Sequence, residues 1–157
     1  MRYEGPAPRL VSAFKDGGRP ALAAALADAT TEWTPPPPRG VTLVPIPLSP
    51  GREARRGFNQ SALLARALSA RWRRPYLEAL ERTGPERSQR GAGPEERRNH
   101  VRGAFCLRDG VDLPENVCLV DDVHTTGATL AAASHALWSG GVRKITARSF
   151  ARALRRE

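Results

Sequence analysis

The stretch that most constrains the fold is VCLVDDVHTTGATL, residues 117–130, in which two adjacent aspartates end an apolar run. The run is typical of a buried strand. Adjacent carboxylates repel each other, and both are costly to remove from water. A fold that places Asp121 and Asp122 at the end of a buried strand must therefore supply groups that compensate their charge.

The neighbouring segments predict an α/β fold with a parallel sheet flanked by helices. Strands are expected at 41–47 and 117–123, and a further strand is expected within 142–154. The helix between the last two strands ends at Gly140 and Gly141. Strand, helix and strand in this order form a βαβ unit, which implies parallel strands and a right-handed crossover.

The segment that follows the first strand has two predicted parts. SPGREARRGFN (49–59) is a polar, arginine-rich loop. Residues 60–72 form a helix with one apolar stripe, and Asn59 is placed to cap it.

We expect one domain over residues 1–157, because a chain of this length can bury a sufficient core. Residues 1–38 form an N-terminal helical segment that ends at a run of prolines, and residues 39–157 form the core. Residues 83–103 contain almost no apolar side chains. They are either a solvated surface loop or a mobile basic loop that covers an anionic site.

The net charge of +9 indicates an anionic partner, either a phosphorylated metabolite or nucleic acid, and charge alone cannot choose between them. There is no apolar run of membrane-spanning length and no apolar core of a signal peptide, so we expect a cytoplasmic protein. Cys106 and Cys118 stand in apolar stretches and are expected to be free thiols.

The residues after the acidic pair suit a phosphate monoester. Three threonine hydroxyls, a glycine that permits close approach and a helix start follow within seven positions. In a parallel sheet, ligands bind at this end of the strand. The aspartates must then face hydrogen-bond donors, and vicinal ribose hydroxyls fit at one sugar length from the phosphate. The stretch therefore predicts a ribose 5-phosphate site, with a hydrated divalent cation as a further compensating group.

Other interpretations of the pair are a surface or helix-cap position, and a magnesium site of the phosphatase or polymerase type. The sequences GxxxxGK[ST] and GxGxxG are absent, which disfavours nucleoside triphosphatases and dinucleotide enzymes.

VDDVHTTGAT together with RGFNQ (56–60) resembles the type I phosphoribosyltransferases, and within them the ComF (competence protein F, or GntX-like) branch. The stretches YEGPAPRLVSAFKDGG and ERRNHVRGAF extend the resemblance over nearly the whole chain. ComF proteins usually begin with a cysteine-rich zinc-binding segment. This sequence begins beyond it, so no zinc is expected.

The resemblance implies roles for residues at three places. The ribose hydroxyls of phosphoribosyl pyrophosphate (PRPP) would be held by Asp121 and Asp122. The 5′-phosphate would be held by His124, Thr125, Thr126, Gly127, Ala128 and Thr129. The pyrophosphate loop would contain Leu48, Ser49, Arg52, Arg55 and Arg56, and Asp121, Asp122 and Arg56 would be the catalytic residues. Mg²⁺ would arrive bound to the pyrophosphate, without metal ligands of its own in the chain.

Three functions follow as hypotheses. The first is binding of PRPP or a nucleotide 5′-phosphate, with transfer of the phosphoribosyl group to a nitrogenous base. The second, which the ComF resemblance implies, is contact with single-stranded DNA during DNA uptake. Arginines at 52–56, 71–74 and 82–102 would follow the phosphates, and Trp72 or Tyr76 would stack on bases. Burial of Trp72 is the favoured alternative to stacking. The third is an inert partner-binding module. A second copy of the chain or a component of the competence machinery is the expected protein partner.

Overall fold

The centre of the structure, a computed structural model that describes residues 5, 7–15, 18–83 and 103–152, is a parallel three-stranded sheet. The described helices are α1 (Ala7–Lys15), α2 (Leu22–Trp33), α3 (Pro50–Arg56), α4 (Gln60–Trp72) and α5 (Ala128–Ser139). The described strands are β1 (Thr42–Pro45), β2 (Leu80–Arg82), β3 (Phe105–Leu107), β4 (Asn116–His124) and β5 (Lys144–Arg152).

The strands of this sheet lie in the order β1-β4-β5, and both pairs are parallel. Thr42 pairs with Val117 at one end of β1, and Pro45 pairs with Val120 at the other. Helix α5 connects β4 to β5. The predicted α/β fold, the parallel sheet and the βαβ unit are therefore confirmed.

Alternate residues of the strands enter two separate layers of core. On one face, Leu43 and Cys118 pack with α1, α2 and α4. On the other face, Val44 and Leu119 pack with α5 and with the antiparallel pair β2-β3. This alternation follows from the period of two in a β-strand, and it explains why the strand sequences are continuously apolar.

Strand β1 lies between two neighbouring segments of the chain. The segment after α4 lies beside β1 on one side, because Leu43 donates its N–H to the Pro75 carbonyl at 2.8 Å and accepts from Leu77 N at 3.0 Å. Strand β4 lies on the other side of β1. In open α/β sheets, a crevice forms at the carboxyl ends of the strands where the connections lead to opposite sides of the sheet. Ligands bind in this crevice.

Two local predictions need correction. The arginine-rich segment predicted as a loop contains α3. Pro50 at its first position, Glu53 in its first turn and Gly57 as a left-handed C-cap (φ 79°) are helix signals, but α3 buries no residue and so has no apolar stripe. Strands β2 and β3 were not predicted, because three residues are too few for a visible alternation. Helix α5 begins at Ala128, and residues 125–127 form the turn before it.

The predicted mobile loop at 83–103 lies almost wholly outside the described residues. Its two described ends meet beside the β2-β3 pair, where Thr83 N donates to Ala104 O and Thr83 Oγ1 donates to Gly103 O, both at 3.1 Å. Cys106 and Cys118 are free, as expected. Within the described ranges, every helix is too short or too polar to cross a membrane.

Asn59 joins two parts of the fold. Its side-chain oxygen accepts from Ser61 N and Ala62 N at the start of α4, which confirms the predicted cap, and its amide donates to Ile46 O at 3.1 Å after β1. The side chain therefore holds the helix start against the end of the strand.

Replacing Asn59 with alanine should lower the free energy of unfolding by about 1–2 kcal/mol, because the cap and the bond to Ile46 are both lost. Urea denaturation at pH 7 measures this difference. Asn59→Asp keeps the cap but not the donor, so it should fall between wild type and Asn59→Ala. Equal stability of all three proteins would show that the bridge is not needed.

Candidate functional site

The two aspartates lie at the carboxyl end of β4, in different environments. Asp121 is half-buried, and its Oδ1 accepts from Ser61 Oγ and from Asp122 N, both at 2.9 Å. Asp122 is only 2% exposed, and its Oδ1 accepts from Val123 N at 2.8 Å. Asp121 therefore faces the start of α4, whereas Asp122 is enclosed in the protein.

Lys15, the last residue of α1, compensates Asp122. Its Nζ lies 2.8 Å from Asp122 Oδ2, and the lysine side chain is 26% exposed. A carboxylate this deeply buried requires an opposite charge at close range. The question raised by the sequence thus has a partial answer within the chain itself: an ammonium group, a serine hydroxyl and two backbone N–H groups stabilise the acidic pair.

Burial, and secondarily the neighbouring charge of Asp122, raise the pKa of Asp121 to about 6. The bonds from Ser61 and Asp122 N–H and the charge of Lys15 act in the opposite direction but are weaker. Ionised Asp121 is consequently a group whose charge is incompletely compensated in the free protein.

The residues after the pair form the turn that was predicted to hold a phosphate. Thr125, Thr126 and Thr129 are exposed, and Ala128 N at the start of α5 donates to Thr126 Oγ1 at 3.4 Å. Gly127 has φ 81°, a left-handed conformation that favours glycine. Hydroxyl groups and the first N–H groups of a 12-residue helix therefore share one turn.

His124 lies under this turn. A Cβ added to Gly127 would lie 3.0 Å from His124 Nε2, so the imidazole packs against the glycine backbone. This contact gives His124 a role in positioning the backbone of the turn.

The loop after β1 lies at the same edge of the sheet. Ile46 N donates to Val120 O at 3.0 Å, so the chain leaves β1 directly beside the residue that precedes Asp121. Ser49 is 8% exposed and directly precedes α3. Helix α3 contains Arg52, Arg55 and Arg56. The structure therefore brings the predicted pyrophosphate loop and the acidic pair to one edge.

The RGFNQ stretch forms a structural frame at this edge. Arg56 Nη1 donates to the buried Gln60 Oε1 at 2.8 Å, and Gly57 turns the chain. Phe58 packs against Phe14 of α1 with ring centroids 5.9 Å apart. Asn59 caps α4, so each residue of the stretch has a contact that positions the loop.

Lys15 and Ser61 were missing from the predicted site. Lys15 precedes Asp122 by 107 positions, and neither spacing nor periodicity connects the two residues. Within the described part of the chain, no three or more His, Cys, Asp and Glu side chains are grouped to hold a metal ion.

Several residues proposed to contact DNA have structural roles. Trp72 is buried, as favoured from the sequence. Arg71 is bound to Asp28 of α2. The Tyr76 ring is covered by the Arg66 guanidinium at 4.7 Å, and its hydroxyl donates to Glu78 at 2.5 Å. Stacking of a base on Trp72 or on this face of Tyr76 is thus prevented in this structure.

The raised pKa of Asp121 predicts how stability depends on pH. The folded state holds the Asp121 proton up to about pH 6, whereas the ordinary value is 3.8, so stability is lost as pH rises through this window. Asp121→Asn cannot ionise and retains the acceptor for Ser61. At pH 7 its unfolding free energy should exceed that of wild type by up to about 3 kcal/mol, and the excess should vanish near pH 4.

Urea denaturation of both proteins from pH 4 to 8 checks this. Asp112→Asn, at an exposed carboxylate, is the control and should follow wild type throughout. An Asp121→Asn variant that is no more stable than wild type at pH 7 would contradict the description of Asp121 as an incompletely compensated charge.

Lys15→Met should leave the Asp122 charge buried without its ammonium partner. Because Lys15 is partly exposed, the loss of unfolding free energy should lie near the lower end for broken buried pairs, about 3 kcal/mol. Adding Asp122→Asn should restore most of this loss. The double-mutant cycle measured by urea denaturation at pH 7 gives the coupling, and additive effects would mean that the pair does not stabilise the fold.

Several known proteins resemble this chain in sequence. No family model matches it. It is 39% identical to competence protein F of Haemophilus influenzae over 114 residues, which are 71% of this chain and 50% of that protein. It is 34% identical to competence protein ComFC of Streptococcus pneumoniae over 111 residues (69% and 47%), and 36% identical to DNA utilization protein YhgH of Escherichia coli K12 over 108 residues (66% and 45%). The chain thus spans about half the length of these relatives.

Solved structures also resemble the chain. The allosteric regulatory enzyme of purine biosynthesis matches 83% of this chain and 26% of its own with a TM-score of 0.57 and 15% identity, which shows a shared fold. The hypoxanthine phosphoribosyl transferase of Trypanosoma cruzi matches 88% of this chain and 75% of its own with a TM-score of 0.48 and 13% identity. The chain is thus a sequence homologue of the ComF and YhgH proteins over about half of their length, and it shares its fold with the allosteric regulatory enzyme of purine biosynthesis.

Proposed function

We propose that this protein acts in the uptake or use of DNA, the processes for which its relatives are named. We also propose that it binds PRPP or a nucleotide 5′-phosphate at the edge of the sheet formed by residues 121–129. The observation that carries the ligand proposal is the half-buried Asp121 beside an exposed threonine turn at a helix start. A ribose 5-phosphate needs an acceptor for its hydroxyls and donors for its phosphate, about one sugar length apart.

Asp121 is the proposed acceptor for the ribose hydroxyls. An ionised carboxylate has about four acceptor sites, and Ser61 and Asp122 N–H use two of them, so it retains capacity for a sugar hydroxyl. A ligand that donates a hydrogen bond to Asp121 would stabilise the ionised carboxylate, which lowers the stability of the free protein. Asp122 would act with it as proposed from the sequence, or support it from below through its pairing with Lys15.

The 5′-phosphate is proposed to bind Thr125, Thr126 and Thr129, with backbone N–H groups from Gly127 and Ala128. Anions are stabilised at such a position by the free N–H groups and by the helix dipole. The His124 imidazole lies under the turn and would keep Gly127 in its left-handed conformation.

When the ligand is PRPP, its pyrophosphate is proposed to lie against Leu48 and Ser49, with Arg52, Arg55 and Arg56 as the opposing charges. Arg56 would be oriented by its bond to Gln60. Mg²⁺ bound to the pyrophosphate would supply further neutralisation of that group.

Binding without turnover is the favoured form of this proposal. The names of these three relatives refer to competence and DNA utilization, and none refers to a transferase. A fold can keep a binding site while the chemistry is lost or changed. Transfer of the phosphoribosyl group to a base remains the alternative, and pyrophosphate release from PRPP in the presence of nitrogenous bases distinguishes the two.

The test is thermal unfolding with Mg²⁺ and PRPP, compared with Mg²⁺ and pyrophosphate. A ligand at a hundred times its dissociation constant should stabilise the fold by about 2.7 kcal/mol, which is a shift of several degrees. Wild type and Asp112→Asn should shift more with PRPP than with pyrophosphate. Asp121→Asn should unfold at a higher temperature than wild type without ligand and gain no more from PRPP than from pyrophosphate.

If Asp121→Asn shifts as much as wild type, the ribose hydroxyls are not held there and the proposed site is wrong. If wild type shifts equally with pyrophosphate and PRPP, the protein recognises the pyrophosphate alone. Repeating the titration with a nucleoside 5′-monophosphate separates the ribose-phosphate site from the pyrophosphate loop.

A further inference from the structure

The hydroxyl of Ser61 is the one side-chain group that donates a hydrogen bond to Asp121 within the described part of the chain. Ser61 Oγ lies 2.9 Å from Asp121 Oδ1, and Ser61 is only 1% exposed. The donor is therefore shielded from water, which strengthens the bond. Asp122 N donates to the same oxygen, also at 2.9 Å. Both donors thus act on one oxygen of the carboxylate.

The other oxygen of Asp121 is left for a further partner. Among the described residues, none donates a hydrogen bond to Asp121 Oδ2, and this atom is open to solvent. Rotation about the last side-chain bond of an aspartate exchanges its two oxygens, and this rotation is soft. Two donors fixed on Oδ1 restrict it. They consequently determine in which direction Oδ2 can accept a hydrogen bond.

Ser61 is itself held in place at the start of α4. Its N–H donates to Asn59 Oδ1 at 2.9 Å, and the Asn59 amide donates to Ile46 O after β1. Ser61 is thus anchored to the end of one strand while its hydroxyl donates to a residue of the neighbouring strand. Moving this hydroxyl would disturb the cap of α4, so it can hold the Asp121 carboxylate in one orientation.

The orientation of a carboxylate decides how well it distinguishes two sugars. Ribose has a hydroxyl that 2-deoxyribose lacks, and an acceptor aimed at this hydroxyl is left unpaired when the hydroxyl is missing. A carboxylate that is free to rotate can turn to water instead and loses less. A preference for ribose therefore requires that the acceptor is held in place before the ligand binds.

We propose that Ser61 is a positioning residue, which holds Asp121 in the orientation that accepts from a ribose hydroxyl and thereby sets a preference for ribose over 2-deoxyribose. This inference rests on the proposed ribose-phosphate site and gives that site a selectivity for the sugar. In a protein that acts on DNA, such a preference keeps deoxyribose phosphates out of the site.

The test is a calorimetric titration at pH 8 with ribose 5-phosphate and with 2-deoxyribose 5-phosphate, which differ by one hydroxyl and carry no base. Ser61→Ala removes the donor and places a strong helix former at the position. Ser69→Ala is the matched control. Ser69 lies on the same helix eight residues later, and its hydroxyl donates to Arg74 O at 2.6 Å, away from the site.

Wild type and Ser69→Ala should bind ribose 5-phosphate at least about tenfold more tightly than 2-deoxyribose 5-phosphate, because the extra hydroxyl donates to a charged acceptor. In Ser61→Ala this ratio should fall below about threefold, mainly through weaker binding of ribose 5-phosphate. If Ser61 had only a structural role, its loss would weaken the binding of both sugars equally and leave the ratio unchanged.

A second readout needs no ligand. The bond from Ser61 favours the ionised form of Asp121, so Ser61→Ala should raise the pKa of Asp121 further. The other charged groups that act on Asp121 are Asp122 and the Lys15 ammonium of α1, and both remain in the variant. Between pH 4 and pH 8, the unfolding free energy from urea denaturation should therefore fall more in Ser61→Ala than in wild type. Ser69→Ala should follow wild type.

The outcomes separate this inference from the proposed function. If wild type binds neither sugar phosphate, or binds both equally, the proposed ribose site fails and this inference fails with it. If wild type prefers ribose 5-phosphate and Ser61→Ala keeps the same ratio, Ser61 does not position Asp121, and this inference fails while the proposed site stands. An unchanged pH dependence of stability in Ser61→Ala leads to the same conclusion.

Discussion

Burial of the Asp122 carboxylate at the end of β4 is the constraint on which the rest of the candidate site depends. With 2% exposure, this charge requires the Lys15 ammonium at 2.8 Å. Because Lys15 ends α1, the ion pair holds this helix against the sheet, and the contact between Phe14 and Phe58 holds it against the turn before α4. The N-terminal helix is therefore part of the structure that positions the acidic pair.

The two aspartates consequently have different physical roles in the free protein. The charge of Asp122 is compensated within the chain. Asp121 accepts hydrogen bonds from one hydroxyl and one N–H, and its pKa is raised. A group that is poorly compensated without ligand gains most when a ligand donates hydrogen bonds to it. The ionised Asp121 carboxylate lowers the stability of the free protein. This cost is explained by a binding site at the strand end, and it has no explanation at an inert strand end.

The sequence was sufficient to predict the elements whose signals are local. The apolar strands, the βαβ unit and the Asn59 cap were recognised because period, composition and cap chemistry agree within a few residues. Helix α3 was missed because it has no buried face, and the strands β2 and β3 because they are short. The pairing of Lys15 with Asp122 arises only from the tertiary fold, and so does the exposure of Trp33.

The sheet separates two kinds of electrostatic environment. At its carboxyl edge, a carboxylate and neutral hydroxyls stand beside helix N–H groups, an arrangement that distinguishes a sugar phosphate from a bare anion. At its amino edge, arginines line a cavity without any carboxylate among the described residues, an arrangement that distinguishes little beyond negative charge. A single small ligand needs matched donors and acceptors, which charge alone does not provide. The carboxyl edge therefore has the arrangement that the proposed small ligand requires.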